Sequence, residues 1–238
     1  MRIIFSRKGF DTAAGGAASP IVGGRPVSLP IPALDRSRTT YAQRGLGDLV
    51  EVATRGRIGR DHLCHDDPMF FDGRCLFGQD GAAQGHLRNQ GVGIGDVFLF
   101  FGLFAEEATG ERHHRIFGAM TVEAVHTPVP AGIGPMERPH PHGLGAWGSG
   151  NCLYEGPGAL ARRAGPELRL TRPGGPLRQW IVPPWLRRIG LSYHGREDRW
   201  QAPDGLAIAS RGQEFVAHVG DDAEALDWRR GILALIEG

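Results

Sequence analysis

Gly93-Ile94-Gly95-Asp96-Val97-Phe98-Leu99-Phe100-Phe101-Gly102, answered after a charged tip by Arg115-Ile116-Phe117-Gly118-Ala119-Met120-Thr121-Val122-Glu123-Ala124-Val125, is the stretch on which the fold turns. Gly93 to Asp96 spell a turn, and Val97 to Gly102 are apolar without alternation, the pattern of a strand buried on both faces. Glu106, Glu107, Gly110, Glu111 and Arg112 form a polar tip, and the β-branched and aromatic run beyond it reads as the antiparallel partner. Gly118 lies inside that partner, where a missing side chain lets another backbone come close.

Working outward, residues 2–6 read as a first strand, and shorter strand-like runs follow at 151–154, 167–171, 178–182, 206–210 and 214–219. Helical spacing marks Gly45 to Ala53, Gln79 to Arg88 and Ala223 to Ile236. Asp11 to Pro32 and Thr127 to Gly150 are rich in Gly and Pro, and the second is the better candidate for a long functional loop. The pattern predicts one α+β domain over residues 1–238, with peripheral helices and long loops around a mixed β-sheet. The central hairpin also resembles that of PUA-like barrels, a group containing readers of nucleic acids and modified bases, so a PUA-like barrel core is the competing expectation.

Composition excludes more than it selects. A formal net charge of +1 gives no whole-molecule field to gather nucleic acid, so any such contact needs a local patch. No stretch approaches the roughly 18–20 apolar residues of a membrane helix. The N-terminal apolar run is too short for a signal peptide, and Cys64, Cys75 and Cys152 form no Cys-x-x-Cys pair. Reduced thiols and a cytoplasmic location are the expectation. The 27 basic side chains include a single lysine, Lys8, and asparagine occurs only as Asn89 and Asn151. Where charge alone matters Arg has replaced Lys, so the surviving Lys and Asn positions are suspects for geometry-specific roles.

Several clusters could carry chemistry. His65 and Asp67 sit before Pro68, which favours an extended backbone at Asp67, and residues two apart on an extended segment project to one side. The pair could ligate a divalent metal such as Zn or Fe, or act as an imidazole oriented by a carboxylate. The plainer account is that Asp67 caps the turn ahead of Met69. His113 and His114, beside the charged tip, read as solvated, and His140 and His142, among prolines, as a loop without a partner. Ser6-Arg7-Lys8-Gly9-Phe10-Asp11 follows a strand and is rich in donors, which suits phosphate. Gln79 through Asn89 concentrates amides, which offer donor and acceptor together to the edge of a base.

Ser6 to Asp11 with Ser19-Pro20-Ile21, His65-Asp66-Asp67-Pro68, Phe77 through Val92, Gly95 through Phe104, Leu191-Ser192-Tyr193-His194 and Arg211-Gly212-Gln213-Glu214-Phe215-Val216 together resemble the third class of nucleotide-modification-associated domain proteins of prokaryotes and phages. The family motif has leucine where Asp66 stands, which makes Asp67 the functional carboxylate. The resemblance implies a nucleotide or nucleic-acid base as partner and leaves the reaction, the cofactor and the oligomeric state open. On that reading Arg7, Lys8 and Asp11 belong to phosphate binding, and Gln79, Gln84, Asn89 and Gln213 read polar edges. His65 and Asp67 are the acid/base or metal pair, and Tyr193, His194, Arg211 and Glu214 close the pocket. Two alternatives remain: a non-catalytic reader of modified bases, and a metal-dependent enzyme acting on a small molecule or peptide.

Overall fold

In a computed structural model of the chain, residues 1–210 and 212–238 are described. The strands are β1 (Arg2–Arg7), β2 (Ser19–Val22), β3 (Arg25–Pro26), β4 (Met69–Phe71), β5 (Arg74–Gln79), β6 (Val97–Ala105), β7 (Arg112–Thr121), β8 (Ala124–His126), β9 (Cys152–Leu160), β10 (Gln179–Ile181), β11 (Trp200–Gln201), β12 (Gly205–Ala207) and β13 (Glu214–His218). The helices are α1 (Gly47–Thr54), α2 (Gly81–Asn89), α3 (Pro184–Ile189) and α4 (Ala223–Glu237). Among the described residues no helix is long and apolar enough to cross a membrane.

The hairpin read from the sequence is the centre of the fold. β6 pairs antiparallel with β7, with a register shift between Phe100 and Phe101, and lies parallel to β1 on its other side. Ten strands form one mixed sheet with the path β13-β1-β6-β7-β9-β5-β4; β2, β3 and β8 attach beside it, and β10, β12 and β11 make a small second sheet. Because side chains alternate across a strand, β6 feeds two cores at once. Val97, Leu99 and Phe101 enter one with Trp180, Trp185 and Ile232, under α3 and α4. Phe98, Phe100 and Phe104 enter the other with Phe77, Tyr154 and Val216. At Gly118 a Cβ would stand 3.0 Å from the Ala159 carbonyl oxygen, so the close approach expected there is real.

The mixed-sheet expectation holds and the barrel does not. The sheet curls until side chains of β5 and β13 touch, yet no strand pairing joins them among the described residues. Helix α2 fills the seam instead. Its Leu87 enters the second core beside Val216, and Gln90, the residue that caps it, meets His218 of β13. A helix in the gap satisfies its own backbone groups, so closure by a ladder is unnecessary.

Other readings shift with the contacts. Residues 167–171 form a 3-10 turn and isolated bridges rather than a strand, and β4, β5, β2 and β3 were not marked by the sequence. His113 is fully buried, not solvated, facing Arg115 and Glu106. Burial also pulls His114 down to about 4, with its Nδ1 accepting from the Trp180 indole. The three cysteines are free and buried.

Candidate functional site

A cavity of about 480 Å³ opens where β1 ends, β5 ends and β13 begins. That volume falls in the range of small-molecule sites, roughly 300–1,000 Å³. Arg7, Lys8 and Asp11 come from β1 and the turn after it, and His65 and Asp67 from the segment ahead of β4. Gly78 and Gln79 arrive on β5, His142 and Trp147 on the long 127–150 loop, and Gln213 just before β13.

The carboxylate at its floor is Asp67. Asp66 and Asp67 point to opposite sides: Asp66 meets Arg44 at 3.0 Å and Arg138 at 3.1 Å, whereas Asp67 faces three histidines. The backbone there is tighter than a plain extended strand, because the Asp67 N–H donates to the His65 carbonyl at 2.8 Å, and the Asp67–Pro68 bond is cis. The two side chains still converge, as alternation requires. Asp67 does not cap the turn before β4; its Oδ1 accepts from the Gly78 N–H at 3.0 Å.

Proton positions follow from the network. The Asn151 amide nitrogen donates to the His142 carbonyl at 3.0 Å, so its oxygen, 2.6 Å from His142 Nδ1, must accept. His142 therefore carries its proton on Nδ1 and presents a bare Nε2 to the cavity. His140 Nδ1 accepts from the His142 N–H, so its Nε2–H donates to Asp67 Oδ1 at 3.2 Å. Oδ1 is thus satisfied twice. Oδ2 faces His65 Nε2 at 3.6 Å and His142 Nε2 at 3.9 Å, both beyond hydrogen-bond reach. Burial drives His142 down to about 4, so it is neutral at pH 7. Burial alone would raise the Asp67 carboxyl; the hydrogen bond from His140 and the close approach of the His65 and His142 imidazoles outweigh it and hold the group well below the usual carboxylate range.

Each ring is held. Trp147 stacks on His142 at 3.9 Å with an interplanar angle of 14°, and its indole N–H is fixed by the carbonyls of Pro141 and Leu144. His65 meets both rings at steeper angles. His65, Asp67 and His142 together place one ligand atom each within 4.8 Å of one another, a set that could hold a metal ion.

On the β13 side the lone lysine meets a carboxylate. Lys8 Nζ donates to Glu214 Oε1 at 2.7 Å and sits 4.5 Å above the Phe77 ring. Gln79 Nε2 donates to the same oxygen at 2.7 Å. Arg7 is the cation left facing the cavity: burial lowers its pKa, its guanidinium lies over Phe101 and Phe215, and no carboxylate pairs with it among the described residues. Lys8→Arg should cost about 1–3 kcal/mol, because a planar fork does not fit a slot shaped for one ammonium. Thermal melting checks this, and an unchanged melting temperature would show the two cations to be interchangeable at this position.

The other candidate residues divide. Asp11 lines the cavity but spends Oδ1 on the N–H groups of Ala13 and Ala14. Gln84 is buried and accepts from the Tyr154 hydroxyl at 3.1 Å, and Asn89 lies exposed at the end of α2; neither lines the cavity. Tyr193 and Glu214 line an adjoining cleft. His194 is withdrawn from it: Nδ1 donates to the Ser192 carbonyl and Nε2 accepts from the Ala209 N–H, so both nitrogens are spent on the backbone. Arg211 lies outside the described residues.

Residues 2–218 match the model of the family described as nucleotide modification associated domain 3. The chain belongs to that family. No curated protein and no solved structure matches it. The family's name ties this nucleotide modification associated domain to nucleotide modification, and the match covers every group described above. Sequence reasoning missed His142, His140 and Trp147 within the domain, although the loop carrying them stood out. Asn151 had been marked by its rarity, and it is the residue that sets the His142 tautomer.

Proposed function

We propose that the chain binds a nucleotide or nucleic-acid base in the Arg7–Asp67 cavity and modifies it with a divalent transition metal held by His65, Asp67 and His142. One observation carries this reading: Asp67 Oδ2 and the bare Nε2 of His142 face each other at 3.9 Å, and no hydrogen bond from the described residues reaches either atom. Two acceptors so placed repel unless a cation lies between them. A tetrahedral ion with ligands near 2.1 Å would separate them by about 3.4 Å, so both Asp67 contacts, to His142 and to His65, lie within about half an ångström of that span. Two imidazoles and one carboxylate favour Zn or Fe over Mg or Ca, and three protein ligands leave positions open for substrate. Such an ion supplies Lewis acidity or an activated water. The protein's own part is orientation: Asn151 and His140 fix the two ligand systems, Trp147 covers them, and Arg7 offers a cation to a phosphate.

The test is titration of the purified, chelator-treated protein with Zn(II) and, anaerobically, Fe(II). One equivalent is expected, with affinity lowered by about 10–100-fold in Asn151→Ala, where only the support of His142 is removed. Absence of stoichiometric binding in the wild-type protein would reject the metal centre.

A further inference from the structure

The adjoining cleft, also about 480 Å³, shares Gln79, Asp80, Gly212 and Gln213 with the first cavity and adds His86, Tyr193 and Glu214. Its Glu214 is 1% exposed and unevenly satisfied. Oε1 takes both donors, Lys8 and Gln79, while Oε2 is buried with no hydrogen-bond partner among the described residues. A buried carboxylate oxygen left bare costs more than most unpaired groups, so this position calls for an incoming N–H. Gln79 Nε2 spends one hydrogen on Glu214 and keeps a second, which sets a donor beside that acceptor.

The rest of the cleft supplies a flat face. Tyr193 is 51% exposed, and its ring is stacked on His86 at 4.3 Å, where His86 Nε2 is tied to the Ser192 hydroxyl. Its backbone stands at φ 66, a left-handed conformation that aromatic residues seldom adopt and that aims the ring out of the fold. The residue beside it is Gly212, where a Cβ would lie 3.1 Å from the tyrosine ring, so the absence of a side chain keeps the ring uncovered.

We propose that this cleft is a nucleobase subsite selective for 4-aminopyrimidine and 6-aminopurine rings, that is, for cytosine or adenine nucleotides. An exocyclic amino group donates to Glu214 Oε2, the neighbouring ring nitrogen accepts from the Gln79 amide, and the ring lies on Tyr193. Uracil and hypoxanthine present the opposite order, acceptor where the amine stands and donor on the ring nitrogen. The subsite rests on the nucleotide reading above, and it does not depend on the metal.

Binding of 2′-deoxynucleoside 5′-monophosphates to the full chain, followed by calorimetry, tests it. Cytosine and adenine forms should bind at least about tenfold more tightly than their deamino counterparts, 2-pyrimidinone and purine, because those leave Glu214 Oε2 bare. Tyr193→Ala, at a half-exposed position and with its fold checked by circular dichroism, should weaken the amino nucleotides by about 5–100-fold through lost stacking. Equal affinity for amino and deamino forms, or an unaffected Tyr193→Ala variant, overturns the subsite while leaving nucleotide binding intact. Failure of every nucleotide to bind overturns both readings, and metal titration of the same sample shows whether the His65–Asp67–His142 centre stands apart from them.

Discussion

Gly78→Ala is expected to abolish metal binding while leaving the sheet assembled. Gly78 sits in β5, paired with Leu153 of β9, and a Cβ there would lie 2.2 Å from both Cγ and Cδ2 of His142. The ring cannot slide away in its own plane, because Asn151 grips Nδ1 and Trp147 covers one face. It must leave the position that points Nε2 at Asp67. Loss of a ligand exceeds the loss of a supporting residue, so affinity for Zn(II) should fall by more than about 100-fold. The β5–β9 ladder uses backbone groups that alanine retains, and the stability cost should stay near 1–3 kcal/mol. Metal titration with circular dichroism melting checks both halves, and wild-type metal affinity in Gly78→Ala would remove His142 from the ligand set.

Asp66→Ala should have the largest effect on stability. Asp66 is 1% exposed and lies between Arg44 and Arg138. The contacts are close ionic ones, but Asp66 Oδ2 and Arg44 Nε are not aligned as hydrogen bonds, so charge balance rather than directionality holds the trio. Removing the shared carboxylate leaves two half-buried arginines facing each other without their counter-ion, which typically costs about 3–5 kcal/mol. For a chain of this size that is a fall in melting temperature of roughly 6–20 °C. Arg138 also donates to the Phe70 carbonyl and lies in the loop that delivers His140 and His142, so metal affinity should fall with stability. Asp66→Asn, which keeps the volume and loses the charge, should cost nearly as much. A small effect in both variants would mean that the arginines are already solvated.

Adjacent residues with divergent tasks recur in this fold, and tight local turns of the backbone separate them. Asp66 anchors a loop while Asp67 faces the cavity. Tyr193 stands exposed at the cleft while His194, next to it, is consumed by the backbone. Pairing such neighbours as one catalytic unit, as the Ser192-Tyr193-His194 run invites, fails because the chain turns there: Tyr193 stands at φ 66 and the His194 N–H closes back on the Leu191 carbonyl, so the two side chains part.

Local pattern determined the core of this protein from the sequence alone. The unbroken apolar run at Val97 to Gly102 required a strand covered on both faces, and it is that strand; helical spacing marked α1, α2 and α4 within a few residues. The segments Ser6–Asp11 and His65–Pro68 were legible as candidates because unusual residue types, a lone lysine and a paired His and Asp, stand there, and both segments line one cavity. What only the tertiary structure decided is which of them meet. Lys8 finds Glu214 across 206 positions of chain, Gln79 finds it across 135, and Asp67 finds His140 across 73. None of these partnerships leaves a periodic trace, because the curl of the sheet and the insertion of α2 bring the segments together. The same curl brought His142 to Asp67, a contact that its setting among prolines concealed, and set Lys8 against a buried carboxylate. Periodicity records which face of an element is buried, whereas a site is made of contacts between elements, and those exist only once the sheet has bent.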